Sequence, residues 1–414
     1  MKNQFPLFAH HPDLVYLDNA ATVQKSGYVL DEVQHFLTHE YANIHRGTYP
    51  LALAAEEQRD RARQTVAWAL GCKDDEVVFT SNATQSSNLL AWWALYAWWI
   101  TQGDIIAVGV FDHHANITPR QLIAERTWAT LIYVWFDPVT RQYDWSVFST
   151  IDTSRLKIVS LSLVSNVTGQ ILDLSFVKEL SKICQMYFVV DASQAVPHFL
   201  VDVALLGADF MYFTGHKMGA LTWIGVLWWK KEHLARLQPT FVGGWAIDRV
   251  SSHTHTYQLA PDKFEPWTPN VMWAVSLRAA YERIAVMWKN TSDWFRQQLA
   301  SWYRVLSQQE DALIAYCCTA FDELQTLWLL KVIWSVDYNN RIGLFSWSLP
   351  QWNSNKLWWY LGEQHICIRT GAHCTHPFHT ALGIDSSARM SMWVYNDISD
   401  VHQFFCALRT FLEK

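Results

Sequence analysis

Charge is what this sequence has least of: only 17% of its 414 residues are charged, and they sum to −6. No long basic run breaks that balance, which argues against a footprint for nucleic acid or for an anionic membrane surface and leaves small-molecule chemistry. A membrane-crossing segment is missing too. The longest apolar run, Leu89 to Ile100, is about half of the ~20 residues that a spanning helix needs, so it reads as a buried or interface helix. Met1 to Asp13 has no basic start, apolar centre or small-residue cleavage site; without a secretory leader the expected location is the cytoplasm. The seven cysteines, at 72, 184, 317, 318, 367, 374 and 406, are odd in number and form no CxxC pair. They suit a reducing compartment rather than a disulfide framework, leave at least one thiol free, and point to no metal site. Internal repeats, proline-rich linkers and low-complexity tracts are likewise absent, so the parts of the chain should pack closely.

Half of the 414 residues are hydrophobic, and the length exceeds what one compact core usually holds, so two domains, or one large domain with a smaller partner, are expected. The 24 tryptophans, several times the usual share, are read as filling cores and subunit contacts, where large aromatic side chains bury much area. Strand-like runs at Glu76 to Thr80, Ile105 to Val110, Thr130 to Trp135, Ile158 to Val164, Tyr187 to Val190, Asp209 to Phe213 and Ile224 to Trp229 alternate with helical patterns. That rhythm predicts a mostly parallel, helix-covered sheet, and the runs are apolar on both faces as central parallel strands are. Helices are expected over Ala54 to Leu70, stopped by Gly71, and over Leu174 to Cys184, opened by Asp173. A long helical stretch, Trp273 to Leu306, then leads to strands near Thr326 to Val332 and Arg341 to Trp347, with a domain change near Trp288. A cleft between the two parts is the natural site.

Three places hold chemistry. Asp191 follows the apolar run Tyr187 to Val190, at the carboxyl end of a central strand, where open α/β sheets bind ligands. Taken alone, such an Asp is more often a helix cap or loop residue. Thr214-Gly-His-Lys217 follows the next strand and puts a hydroxyl, an imidazole and an amine together. Lysine forms Schiff bases, and an apolar pocket makes its amine a better nucleophile; a solvated Lys after a strand is the ordinary alternative. Thr80-Ser-Asn-Ala-Thr-Gln85 follows another strand with small and hydroxyl residues that suit an anion at a helix start.

These places fall within an ordered set: Tyr16-Leu-Asp-Asn-Ala-Ala-Thr22, Ala42-Asn-Ile-His-Arg-Gly47, His113-His-Ala-Asn116, Val164-Ser-Asn-Val167, Asp191-Ala-Ser-Gln194, Thr214-Gly-His-Lys217, Thr268-Pro-Asn270 and Arg369-Thr-Gly-Ala-His-Cys374. The set resembles the group II cysteine desulfurases (SufS/CsdA-like) of the class V aminotransferases, from Tyr16 to Tyr395. That resemblance implies fold type I of the transferases that use pyridoxal 5'-phosphate (PLP). A large PLP-binding domain, residues 16–287, would carry a mostly parallel seven-stranded sheet. Residues 288–414 with 1–15 would form a small α+β domain. A homodimer would place its active sites at the subunit interface.

By the same resemblance Lys217 would hold PLP as a Schiff base, Asp191 would pair with the pyridine nitrogen, and Gln194 would contact the ring hydroxyl. His113, preferred over its neighbour His114, would stack on the ring and assist proton transfer. Thr84, Thr214 and His216 would hold the phosphate, and Thr268 would reach the phosphate of the neighbouring subunit. Asn166, Arg369, Arg389 and His45 would face the substrate, with Arg389 forking onto its carboxylate; the resemblance alone singles out Arg389. Cys374 would take the sulfur of L-cysteine as a persulfide and leave L-alanine. His373 and nearby cations would favour its thiolate. Cys72, Cys184, Cys367 and Cys406 read as buried structural thiols. Sulfur would pass to a SufE- or SufU-like acceptor for iron-sulfur cluster assembly.

The chain departs from the pattern at Asn82, Ala83, Trp223, Pro266, Trp267 and Ala372, several of them positions where glycine is usual. Two rivals remain: a selenocysteine lyase, separated by substrate competition, and a non-catalytic scaffold, which has no need of Lys217, Asp191 and Cys374 in register.

Overall fold

The computed structural model describes residues 1–45, 47–96, 99–286, 295–335, 338, 340–350 and 354–413. Among them eight strands form one sheet in the spatial order Val77–Thr80, Gly225–Trp229, Phe210–Thr214, Tyr187–Asp191, Leu156–Ser162, Ile105–Gly109, Thr130–Phe136 and Tyr143–Asp144. The five strands from Phe210–Thr214 to Thr130–Phe136 are mutually parallel, and the pairings of Gly225–Trp229 and Tyr143–Asp144 are antiparallel. All seven expected strands are present. The eighth, Tyr143–Asp144, is a two-residue edge strand too short to leave a periodic signal. Val77–Thr80, Ile105–Gly109, Phe210–Thr214 and Gly225–Trp229 are buried throughout, which is why they read as unbroken apolar runs rather than as alternating ones.

The helix expected from Ala54 begins earlier, at Pro50, whose fixed φ and missing N–H suit a first turn. It closes at Gly71 with φ 73°. Asp173 opens Ser175–Ile183 by accepting from Ser175 N at 2.9 Å. The stretch read as one helix from Trp273 comprises Val271–Val286 and Phe295–Thr326. The domain change placed at 287/288 falls in residues 287–294, outside the described ones. Phe295–Thr326 runs on through Thr326, so the strand expected from there is reduced to Lys331–Val332; the next one is Leu344–Ser348. Among the described residues no helix is long and apolar enough to cross a membrane.

A four-stranded antiparallel sheet, ordered Lys331–Val332, Leu344–Ser348, Ser387–Ser391 and Arg369–Gly371, has its own core around Phe321, Phe345, Trp347 and Phe404. It is docked onto the turn that follows Leu156–Ser162. Ser346 donates its hydroxyl to Val167 O at 2.6 Å, and Ile342 N donates to Gly169 O at 2.9 Å. The amino terminus is sewn to the same part of the chain: Val15–Tyr16 pairs in parallel with Ile366–Cys367 in a separate two-stranded sheet, and Asp18 bridges Ser391 of the four-stranded one.

The tryptophans divide. Trp93, Trp228, Trp229 and Trp347 are buried, but Trp128, Trp223 and Trp328 are exposed and adopt φ of 59°, 66° and 59°, left-handed backbone that favours glycine. Packing within the chain accounts for the first group.

Gly169 has φ +72°, and a Cβ built there would sit 2.4 Å from Leu344 O. Gly169→Ala is expected to destabilise the protein by about 2 kcal/mol through the strained backbone, measured as a lower midpoint in thermal or urea unfolding.

Candidate active site

The carboxyl ends of the parallel strands and the loop before Cys374 enclose a cavity of about 280 Å3. Lys217, Asp191, Gln194, His113, Thr84, Thr214, His216, Asn166, Arg369, Arg389 and Cys374 all line it. His45 and Thr268 do not. They share a second cavity of about 240 Å3 with Asn43, Gly244 and Pro266, where the His45 ring lies 3.8 Å from that of Trp245.

Local structure explains how each side chain arrives. Asp191 is the last residue of its strand, paired in register with Ser162, and its Oδ1 accepts from Ser193 N at 2.9 Å. Lys217 ends a single turn, Gly215–Lys217, that follows Thr214 without a loop between. Part of its surface opens to the cavity, yet protein walls it on the other sides. That desolvation pulls the amine down to about 8, against the pull of Asp191 and reinforced by the cation of Arg389. Burial pushes the Asp191 carboxyl up, while the hydrogen bonds from Ser193 push it down.

His113 caps the helix His114–Thr127 by accepting from Ala115 N at Nδ1, 3.1 Å. The proton of the neutral ring therefore sits on Nε2. Burial, then the Lys217 cation, drives this imidazole down to about 3, so it is neutral near pH 7. His114 is not among the residues lining the cavity and stacks on His376 at 4.9 Å.

A group that is flat, aldehydic and phosphorylated fits these walls. Thr214 Oγ1 and His216 Nδ1 are buried without a hydrogen-bond partner, an arrangement that costs about 1–3 kcal/mol each unless a ligand takes them up. Beside them the helix Ala83–Tyr96 begins, with Ala83 and Thr84 lining the cavity. Its first N–H groups favour an anion. Asn82, one of the departures from the family pattern, caps this helix by accepting from Gln85 N at 2.9 Å, so the loop keeps its form.

Arg389 is buried, donates through Nη1 to Asn166 O at 2.9 Å, and has its Nε without a partner. Asn166 in turn donates to His373 O at 2.9 Å, which ties the cysteine loop to the strand ends. Gly371, His373 and Cys374 have φ of 117°, 49° and 58°, a left-handed run that leaves Cys374 exposed at the cavity mouth. Its carbonyl accepts from His114 N at 2.8 Å.

Two expectations about this loop change. His373 is buried, shares a 3.0 Å hydrogen bond with Ser387 Oγ, and is pushed far below its ordinary value by desolvation. A neutral ring supplies no charge to a thiolate; the cations in electrostatic reach of Cys374 are Lys217, Arg369 and Arg389. Of the thiols read as structural, Cys406 is exposed and Cys72, Cys184 and Cys367 are half-buried, while Cys317 and Cys318 are the buried ones. Ala372 contributes through its carbonyl, which accepts from Thr375. Asp18 was not singled out from the sequence, although it sits inside the Tyr16–Thr22 motif. Arg369 grips it with Nε at 3.1 Å and Nη2 at 2.9 Å.

The profile of the class V aminotransferases matches residues 15–404. A probable cysteine desulfurase of Streptomyces coelicolor is 36% identical over 393 residues, 94% of this chain and 90% of that protein. The apo structure of the cysteine desulfurase of Thermococcus onnurineus NA1 superposes with a TM-score of 0.89 at 27% identity, covering 100% of this chain and 97% of that one. The cysteine desulfurase CsdA of Escherichia coli, in its S-sulfonic acid form, gives 0.84 at 30% identity with the same coverage, 100% and 97%.

An amine at about 8 is protonated below that pH and nucleophilic above it. Capture of added pyridoxal phosphate by cofactor-free protein is therefore expected to accelerate as pH rises through about 8 and then level off. Stopped-flow absorbance reads this directly; an inflection near 10.5, the ordinary lysine value, would contradict the buried setting.

Proposed function

The chain belongs to the class V aminotransferase family, and on that premise we propose that it is a PLP-dependent cysteine desulfurase that converts L-cysteine to L-alanine through a persulfide on Cys374. The observation that carries this reading is a free, exposed thiol at the mouth of the same cavity that holds Lys217, Asp191 and Arg389. An aminotransferase has no use for a thiol there.

When bound, PLP supplies an electron sink for negative charge that develops on the substrate. Lys217 would hold it through its amine, and the same amine would move protons at the substrate carbon. Asp191 would stabilise the charged pyridine nitrogen, Gln194 would contact the ring hydroxyl through its amide, and Thr84, Thr214 and His216 would receive the phosphate. His113, neutral with its proton on Nε2, would lie against the ring and assist proton transfer. Arg389 forks onto the substrate carboxylate, with Asn166 and Arg369 at its sides. The Cys374 thiolate attacks the substrate sulfur, the carbon–sulfur bond breaks, and the carbon left behind takes up a proton to become alanine. One sulfur atom moves and nothing is left over.

The arrangement of His45 and Thr268 in a separate cavity supports a homodimer in which they serve the partner's site. Residues 16–287 would then be the cofactor domain, and 288–414 with 1–15 the smaller one. The persulfide is passed to a SufE- or SufU-like acceptor for iron-sulfur cluster assembly, in the cytoplasm.

Alanine and sulfide release from L-cysteine with a reductant present is expected to fall to background in both Cys374→Ala and Lys217→Ala, while Cys374→Ala keeps the cofactor spectrum. Release of neither product by the loaded wild type overturns the reading. Arg389→Lys keeps the charge but loses the fork, and should raise KM for L-cysteine about tenfold.

A further inference from the structure

Two guanidiniums face the cavity, but they are not equally free. Arg369 is half-exposed and turns one edge of its guanidinium to a carboxylate: Nε lies 3.1 and 3.2 Å from Asp18 Oδ1 and Oδ2, and Nη2 2.9 Å from Oδ2. Arg389 is buried, and its approach to the same carboxylate is long, 3.5 Å from Nη2 to Oδ1. Its Nε has no partner, so Arg389 keeps donors for something else. Burial pulls it down to about 10, and Asp18 opposes that pull.

Asp18 itself is fixed by backbone. It bridges Ser391, Ser391 N donates to Leu17 O at 2.7 Å, and Ala20 N donates to Ser391 Oγ at 2.8 Å. The backbone beneath its carboxylate is therefore held in place, and the carboxylate reaches Arg369, which lines the cavity, without lining the cavity itself. We propose that Asp18 determines specificity by neutralising Arg369, so that the pair of arginines offers one net positive charge and accepts an amino acid with a single carboxylate. A substrate bearing a second carboxylate finds Arg369 already neutralised by Asp18 in place of a free cation, and specificity gained by withholding that partner needs no extra contact to the favoured ligand. This inference rests on the proposed amino-acid site but not on the desulfuration step.

The test uses PLP-loaded protein and reads the change in cofactor absorbance on titration with L-alanine and with L-aspartate, which gives an apparent Kd for each without turnover. In Asp18→Asn the ratio of the L-aspartate Kd to the L-alanine Kd is expected to fall about tenfold, the worth of one freed charged contact. Asp18→Glu, which keeps the charge, should hold the ratio near that of the wild type. A general loosening of the pocket moves both Kd values together and leaves the ratio alone. An unchanged ratio in Asp18→Asn overturns the proposal. Asp18→Ser supplies a second neutral variant, and if neither neutral variant loads cofactor, Asp18 is needed for the fold rather than for specificity and the proposal falls. Failure of alanine release from L-cysteine by wild type would instead strike the reaction assigned above, in a different assay.

Discussion

The bond from the Ser346 hydroxyl to the Val167 carbonyl, with its neighbour from Ile342 N to Gly169 O, fixes the small sheet against the end of the large one. The large sheet alone presents Asp191, Thr214 and Lys217 on an open edge. The small sheet alone presents Arg369, Arg389 and the cysteine loop. Only their docking makes a cavity, and the close approach at Gly169 sets how near the two can come.

Desolvation then sorts the charges inside. Burial keeps the imidazoles of His113, His216 and His373 neutral, because a charged ring would lose its water with no carboxylate to replace it. The guanidiniums stay charged: Arg389 is pulled down only to about 10, and the bond to Asp18 holds Arg369 above its ordinary value. The amine of Lys217 falls between, near the pH at which it must switch. One physical cost thus yields three behaviours in groups that all read simply as basic residues in the sequence.

The parallel strands were legible because both faces are covered, which leaves apolar runs such as Tyr187 to Val190 that no surface strand could have. Asp191 and Lys217 were legible as strand-end residues for a related reason, since Asp191 follows such a run directly and Lys217 comes just beyond the next one, but their roles came from the resemblance. What stayed hidden depends on residues distant in the chain. Tyr143–Asp144 has no period of its own. The strand expected near Thr326 yielded to a helix whose Leu313, Cys317 and Phe321 pack in the small core. Arg389 carried no local signal, and Asp18 none beyond its motif, because what matters in both is a contact across some 370 positions. His113 and His114 are separated only by which ring caps the helix, a detail of backbone entry that composition does not encode.

Trp128, Trp223 and Trp328 place indoles on left-handed turns, open to water. Each gives up on the order of 1 kcal/mol of backbone energy and recovers little by packing. A chain that carries such residues at its rim must draw surplus stability from its two cores. Its turns consequently carry a cost that the packed interior, and not the turns themselves, has to offset.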